Sequence, residues 1–344
     1  QAGCEILRVA VPNRESVALI PALKQEVAAA VEAQRKQIQV MVDEIYSFAE
    51  PGFQEVKTSE YLAGILEKNG FKVERGVAEN IRFAKAARKQ HLVKGMIGGH
   101  APFTLPDEAL AMMGEAVRET GCGIHLHVAE DKYDVVHSHH HYNTDIVDRL
   151  EQFGLLTDNA LLVHGLHLNS HEIEKLNSYG CFFAHNGRSN MNNNVGYARH
   201  IQEVKNLVIG TDGCGGNMFE ELKLAFFKHK DQGGSWWPSD YVAALSRGNM
   251  LVERYFDGKF GQVSEGYKAD LVVCDYHAPT PIVPANAASH FVWGMSSNCV
   301  ESVMVDGKLV MEGRKIAHLD VDAIYAEAAK VAKKVWERVD KIAP

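Results

Sequence analysis

The sequence has no pair of cysteines in CxxC spacing, no apolar run near 18 residues and no block rich in lysine and arginine. Its six cysteines are scattered, which excludes a zinc ribbon or a CxxC redox motif and is typical of a reducing compartment. Because no signal peptide or long apolar run occurs, the sequence predicts a soluble, cytoplasmic protein with no membrane partner. The net charge of −8 argues against a nucleic-acid partner, which would need a basic surface.

Histidine is also absent from the first 90 residues, and no obvious catalytic pair occurs there. Residues 1–80 are predicted to form an atypical α/β segment. From 81 to 255 the chain repeats one pattern, in which helical stretches alternate with short apolar runs at 95–99, 123–128, 160–164, 181–185 and 206–210. Apolar runs separated by helices indicate a parallel sheet buried on both faces, and five in succession favour a barrel.

The pattern changes after about residue 256. Short β-rich runs broken by Gly, Pro and Asn predict a small β domain over 256–318, with a strand at 289–293 among them. Asp306-Gly307 between two of these strands predicts a hairpin turn. Apolar residues at helical spacing then predict a C-terminal amphipathic helix over 319–344.

Three apolar runs end in residues that bind metals or transfer protons, namely the motifs Ile-His-Leu-His-Val-Ala-Glu at 124–130, Leu-Val-His-Gly at 162–165 and Val-Ile-Gly-Thr-Asp-Gly at 208–213. Strand ends are where a parallel barrel displays its chemistry. His127, His164 and Asp212 are therefore predicted to hold one divalent metal and the water it activates. Asp212 suits the base for that water and Glu130 suits the proton carrier toward the leaving group. His164 either ligates the metal or polarises the attacked centre.

Two polar turns supply candidates for substrate binding. His100 lies in a Gly/Pro-rich turn, where a structural role is an equal alternative. A second turn follows the run at 181–184 and contains His185, Asn186, Arg188 and Asn190, of which Arg188 suits a carboxylate or carbonyl group. The alternative for this turn is a loop held by Asn and Ser side chains.

A further cluster of histidines occurs at positions 137, 139, 140 and 141. It predicts the start of a helix at the surface, with incidental metal affinity rather than a catalytic role.

Residues 81–344 resemble the amidohydrolase superfamily and are most similar to its SsnA-type aminohydrolases, relatives of guanine, cytosine and chlorohydrolase-type deaminases. The motifs are His-Ala-Pro-Phe-Thr at 100–104, His-Val-Ala-Glu-Asp-Lys-Tyr-Asp-Val at 127–135, His-Asn-Gly-Arg-Ser-Asn at 185–190 and Gly-Thr-Asp-Gly at 210–213. The resemblance implies a distorted (β/α)₈ barrel and hydrolysis of a C–N bond in a small heterocycle, with release of ammonia.

The same resemblance implies one divalent metal, zinc or alternatively iron. It assigns His127 as the ligand on the fifth strand and Glu130 as the proton shuttle. It also places His164 on the sixth strand and makes Asp212 the ligand and base on the eighth.

The N-terminal part departs from this family, whose first-strand His-x-His pair has no counterpart here. Residues 36–78 instead resemble the N-terminus of zinc aminoacylase/carboxypeptidase-type peptidases, through Ala-Glu-Pro-Gly-Phe-Gln-Glu at 49–55. Residues 2–12 resemble a strand of hydroxymethylbutenyl diphosphate synthase. The expected fold class is therefore α/β, as an incomplete or rebuilt (β/α)₈ metal-dependent hydrolase barrel with a small flanking β domain and a C-terminal helix.

Loss of the first-strand pair predicts weakened metal affinity and impaired activity toward a small-molecule substrate. The alternative is a catalytically inactive amidohydrolase-fold remnant or scaffold, whose open strand edges favour a homodimer. A third hypothesis is amide or hydantoin-type ring hydrolysis at the same site.

Overall fold

The computed structural model describes residues 76–316 and 319–339, together with positions 61, 64, 65 and 68. The predicted N-terminal segment over 1–80 lies outside the described residues, apart from these four positions and 76–80. The chain divides into two compact units. The first unit runs to His185 and continues over Asn190–Leu207, and the second unit comprises Asn186–Ser189 and the chain from Val208 onward.

A parallel sheet forms the centre of the first unit. Its strands are β1 (Ile97–Gly98), β2 (Ile124–Val128), β3 (Leu161–His164) and β4 (Phe182–His185), and the strand order β1-β2-β3-β4 continues to β5 (Leu207–Ile209). All four residues of β4 are buried, as are the last three of β3. Strands that are buried on both faces need apolar residues at successive positions, which explains these continuous apolar runs. The strands pair in parallel, so the parallel α/β architecture predicted from the sequence is confirmed.

Helices separate these strands along the chain, as a parallel sheet requires. Helix α1 (Val77–Ala87) precedes β1, and the strands β1 to β4 are separated by α2 (Asp107–Thr120), α3 (Lys132–Tyr142), α4 (Ile146–Gln152) and α5 (Ser170–Tyr179). The ends of α5 show why the sequence starts and stops a helix there. Asn169 and Glu172 form a capping box at its start, and Gly180 ends it with a φ of 72°. The carboxyl ends of β2, β3 and β4 consequently lie at one edge of the sheet, where their polar residues meet.

The second unit has a helical part packed around Leu222, Phe226, Tyr241 and Val292. Its main helices are α7 (Met218–Asp231) and α8 (Pro238–Tyr255), and the short helix α6 (Gly187–Asn192) contributes residues to both units.

The small antiparallel sheet of this unit is formed by β6 (Leu271–Cys274), β7 (Val300–Val305), β8 (Lys308–Glu312) and β9 (Lys315–Ile316). Asp306 and Gly307 connect β7 to β8 with φ angles of 48° and 76°, which confirms the predicted hairpin turn.

The strand predicted at 289–293 is wrong. These residues lie in two helical turns, Ala287–Ser289 and His290–Gly294. The His290 ring accounts for the difference, because its nitrogens lie 2.9 Å from the Tyr276 hydroxyl and 3.1 Å from the Thr280 hydroxyl. These tertiary contacts outweigh the β propensity of a short aromatic run.

The C-terminal helix is present as α9 (Val321–Val339), as its apolar spacing predicted. Its apolar side chains are largely exposed, with Ile324 and Val331 each about half accessible. Among the helices of the described residues, none combines the length and the apolarity needed to cross a membrane.

Candidate metal centre

His127 is held with a defined tautomer at the end of β2. Its Nδ1 lies 2.9 Å from the backbone oxygen of His100. A carbonyl oxygen only accepts hydrogen bonds, so Nδ1 carries the proton and donates it. The Nε2 atom of His127 is then left with its lone pair, which is the form of histidine that binds a metal.

His164 is the last residue of β3, one position beyond Val163, which pairs with His127. The residue is buried, and its φ of 75° lies in the left-handed region that favours glycine. Its Nδ1 lies 2.9 Å from Asn190 Oδ1, so this nitrogen donates and Nε2 again keeps the lone pair. The ring centroids of His127 and His164 are 5.3 Å apart. A strained backbone conformation at a buried polar residue is typical of functional sites.

Glu130 places a carboxylate beside this pair. Its Oε2 lies 3.6 Å from Nε2 of His164, and its Oε1 accepts a hydrogen bond from Asn193 Nδ2 at 3.1 Å. Its backbone N–H donates to Oδ2 of Asp134 at 2.9 Å. Glu130 is thus fixed at both its backbone and its side chain, next to an imidazole that is in metal-binding form.

Asp134, in the first turn of α3, is a buried carboxyl group whose burial raises its pKa to about 6. The backbone N–H groups that it accepts from oppose this shift but do not cancel it. Because the pKa in the folded chain lies above the usual 3.8, the fold favours the neutral form, and ionisation between these values costs stability.

We therefore expect Asp134→Asn to gain stability over the wild type as the pH rises from 4 to 7. The Asn oxygen can still accept from Glu130, but the variant has no charge to bury. The difference in the free energy of unfolding should grow by on the order of 1 to 3 kcal/mol across this range. Urea unfolding at each pH measures it, and a difference that is independent of pH would contradict the prediction.

Asp212 belongs to the second unit and follows β5. Ser189 Oγ donates to its Oδ2 at 2.6 Å, and the Gly213 backbone N–H donates to its Oδ1 at 2.6 Å. The residue is exposed and has a φ of 50°. Each carboxylate oxygen accepts more than one hydrogen bond or metal bond, so both oxygens keep capacity for a ligand.

Arg188 is engaged within the second unit. Its Nε donates to Glu221 Oε2 at 2.6 Å, its Nη1 donates to Glu220 Oε2 at 2.9 Å, and its Nη2 donates to the backbone oxygen of Gly215. These contacts attach the turn after Asp212 to α7. A direct grip of Arg188 on a substrate stays a prediction, and it would have to compete with these partners.

The remaining predicted substrate residues lie close to the ends of β1 and β4. His185, Asn186 and Asn190 are buried. Within the described part of the chain, Asn186 Oδ1 and Asn190 Nδ2 have no hydrogen-bond partner. The His100 ring meets the His127 ring edge-on at 5.5 Å, and burial, followed by the neighbouring His127, lowers its pKa. His100 is therefore neutral at pH 7 and can both donate and accept a hydrogen bond.

The sequence analysis missed three supporting residues: Arg149, Ser189 and Asn193. Arg149 is buried, and its guanidinium donates to the backbone oxygens of Pro102 and Leu105 and to Asp107. It thereby fixes the turn that follows His100. The sequence did contain one sign of this role, because Arg149 lies among the apolar residues on the buried face of α4. Nothing in the sequence distinguished Ser189 or Asn193 from ordinary turn residues.

The histidine cluster at 137–141 lies in the C-terminal half of α3, so its prediction as a helix start is wrong. Histidines near a helix C-terminus are favoured there by the helix dipole when they are protonated.

Comparisons with known proteins agree on one family. Residues 20–310 match the model of the amidohydrolase family. A 5'-deoxyadenosine deaminase of Methanosarcina mazei is 30% identical over 287 residues, covering 80% of this chain and 66% of that protein. A 5-methylthioadenosine/S-adenosylhomocysteine deaminase of Dictyoglomus thermophilum is 30% identical over 282 residues, with coverage of 79% and 65%. The chain thus spans slightly less than two thirds of the length of these relatives.

Solved structures share the fold. An adenosine deaminase from Xanthomonas campestris with bound zinc matches with a TM-score of 0.68 and 23% identity, over 80% of this chain and 69% of that one. Guanine deaminase from E. coli matches with a TM-score of 0.59 and 20% identity, over 69% and 60%.

Proposed function

The chain belongs to the amidohydrolase family, and we propose that it is a metal-dependent aminohydrolase. The family match confirms the resemblance seen in the sequence motifs. The proposed reaction is hydrolysis of the C–N bond between a small heterocycle and its exocyclic amine, with release of ammonia. The observation that carries the proposal is the paired orientation of His127 and His164. Each imidazole donates Nδ1–H to a fixed oxygen and keeps Nε2 for a ligand.

The donor set fits a divalent metal. Two neutral imidazoles are the nitrogen ligands that zinc and ferrous iron accept, and the oxygen partners of their Nδ1 atoms are the supports usually found behind such ligands. We assign the metal to His127, His164 and Asp212, with zinc as the first candidate and iron as the second. Asp212 is included because of its place after β5 and its family motif. When bound, the metal supplies Lewis acidity that makes water nucleophilic near neutral pH.

The chain's own residues then divide the proton transfers. Asp212 accepts a proton from the attacking water. Glu130 carries a proton to the departing amine, which leaves as ammonia. Asn190 and the His100 carbonyl keep the two imidazoles in the correct tautomer and orientation. Asn190 is therefore assigned to positioning rather than to direct substrate contact.

The substrate class follows from the relatives. Their names specify adenine nucleosides, 5'-deoxyadenosine and 5-methylthioadenosine among them, whose base carries an exocyclic amine. We propose a purine or similar planar heterocycle as the small-molecule substrate. His100, His185 and Asn186 are the assigned contacts, because histidine and amide side chains offer hydrogen-bond donors and acceptors that complement those of such a ring. Cytoplasmic location and a homodimer stay predictions.

An ammonia-release assay tests this function. The purified chain with one equivalent of zinc is expected to deaminate 5'-deoxyadenosine, to lose activity when a chelator removes the metal, and to regain it on zinc addition. Glu130→Gln, which keeps the size of the side chain, should lower kcat by about 10²–10⁴. Ring-opening without ammonia would favour the amide or hydantoin-type reaction. No zinc-dependent stabilisation and no turnover would favour the inactive remnant, whereas weak binding with low turnover would support impairment by the missing first-strand pair.

A further inference from the structure

A second group of imidazoles lies on α3, in the first unit. His137 and His141 are four residues apart, so they project from the same face of the helix. Their ring centroids are 4.3 Å apart with an angle of 35° between the planes. Two nitrogens bound to one ion at about 2.0–2.1 Å are at most about 4 Å apart. Two imidazole rings whose centroids are 4.3 Å apart can bring a nitrogen each within that distance.

The surroundings of the pair favour a ligand. Nδ1 of His137 is buried and has no hydrogen-bond partner among the residues that the structure describes. A buried imidazole nitrogen without a partner costs free energy, and a bound metal ion or a hydrogen-bond partner would remove that cost. The His140 ring lies 4.8 Å from the His141 ring, which places a third imidazole next to the pair. His141 and His140 are exposed, so an ion can reach the pair from solvent.

His139 provides the internal contrast. Its Nε2 lies 2.9 Å from Oδ1 of Asp145, so this ring already has a carboxylate partner. His139 belongs to the same cluster in the sequence but not to the His137–His141 pair.

We propose that His137 and His141 form an accessory binding site for a divalent transition metal. Imidazole pairs at this helical spacing suit Cu²⁺, Ni²⁺ and Zn²⁺, whereas Mg²⁺ and Ca²⁺ prefer oxygen ligands. The ion bridges two successive turns of α3 and therefore stabilises this helix. Asp134, in the first turn of α3, accepts the backbone N–H of Glu130, so this helix contacts both the accessory site and the proposed proton carrier.

The test uses the full chain, first loaded with one equivalent of zinc and then titrated with Ni²⁺ by calorimetry. The wild type is expected to bind an additional equivalent. The double variant His137→Gln/His141→Gln is expected to lose it, since Gln is a good helix former but a poor nickel ligand. His139→Gln is the matched control and should bind as the wild type does. In parallel, Ni²⁺ should raise the Tm of the wild type and of His139→Gln but not that of the double variant.

Equal nickel binding by the double variant and the wild type would overturn the proposal. Loss of binding in His139→Gln would also overturn it, because the site would then involve Asp145. The result is independent of the deaminase proposal, since an inactive chain still contains α3. Ammonia release by the double variant reports separately whether the first metal centre is intact.

Discussion

Asp212→Asn is expected to lower kcat/KM for ammonia release by about 10²–10⁴, the range for loss of a catalytic base. The amide keeps the size of the carboxylate, and its oxygen can still accept from the Gly213 N–H. Its amino group can donate to Ser189 Oγ in place of the present bond. The turn should therefore keep its shape while the side chain loses its charge and its basicity. Steady-state kinetics with a zinc-saturated variant measures the effect.

Two comparisons separate catalysis from structure in this experiment. In metal-free buffer the Tm of Asp212→Asn should equal that of the wild type, because the residue is exposed and its protein contacts are retained. Ser189→Ala removes the hydrogen bond to Oδ2 but leaves the carboxylate, so a loss nearer to 10-fold is expected, as for other groups that orient a ligand. Activity of Asp212→Asn within threefold of the wild type would refute the role of Asp212.

Arg149→Met is expected to lower the free energy of unfolding by about 2–4 kcal/mol, because two buried backbone carbonyls lose their charged donor. The side chain is 1% exposed. Its loss leaves the carbonyls of Pro102 and Leu105 without their donors and removes the partner of Asp107. The guanidinium also lies 3.5 Å from the centre of the Tyr142 ring, a cation–π contact that Met cannot make.

Arg149→Lys is the matched control for charge. Lysine keeps the positive charge but lacks the planar fork that reaches two carbonyls and a carboxylate at once, so an intermediate loss of stability is expected. Urea unfolding followed by circular dichroism measures both variants. If Arg149→Met unfolds with the free energy of the wild type, the turn after His100 is not held by this residue.

The parallel sheet was predictable because its signal is local. Strands β2, β3 and β4 are largely apolar runs of four or five residues. Helix α5 is capped by residues within its own segment, Asn169 and Glu172 at its start and Gly180 at its end. The run at 289–293 was not predictable in this way. Its helical conformation depends on the hydrogen bonds between the His290 ring and the hydroxyls of Tyr276 and Thr280, which are 14 and 10 residues away.

The candidate site shows the same division. His127, His164, Glu130 and Asp212 were selected from the sequence because each follows an apolar run. Arg188 was predicted to meet a substrate, yet its donors meet Glu220, Glu221 and a backbone oxygen. A sequence shows that an arginine is present in a polar turn, but it does not show which acceptors from distant segments are already bound to it.

By itself, the sequence determined the strands, the helices between them and the residue types at the strand ends, because periodicity and capping act over a few residues. Tertiary structure alone decided which nitrogen of each histidine donates a hydrogen bond and which keeps the lone pair. That choice depends on the oxygen opposite Nδ1, which comes from 27 residues away for His127 and 26 for His164. A histidine binds a metal through the lone pair of one ring nitrogen. The fold decides which nitrogen that is, because it places a hydrogen-bond acceptor opposite the other nitrogen.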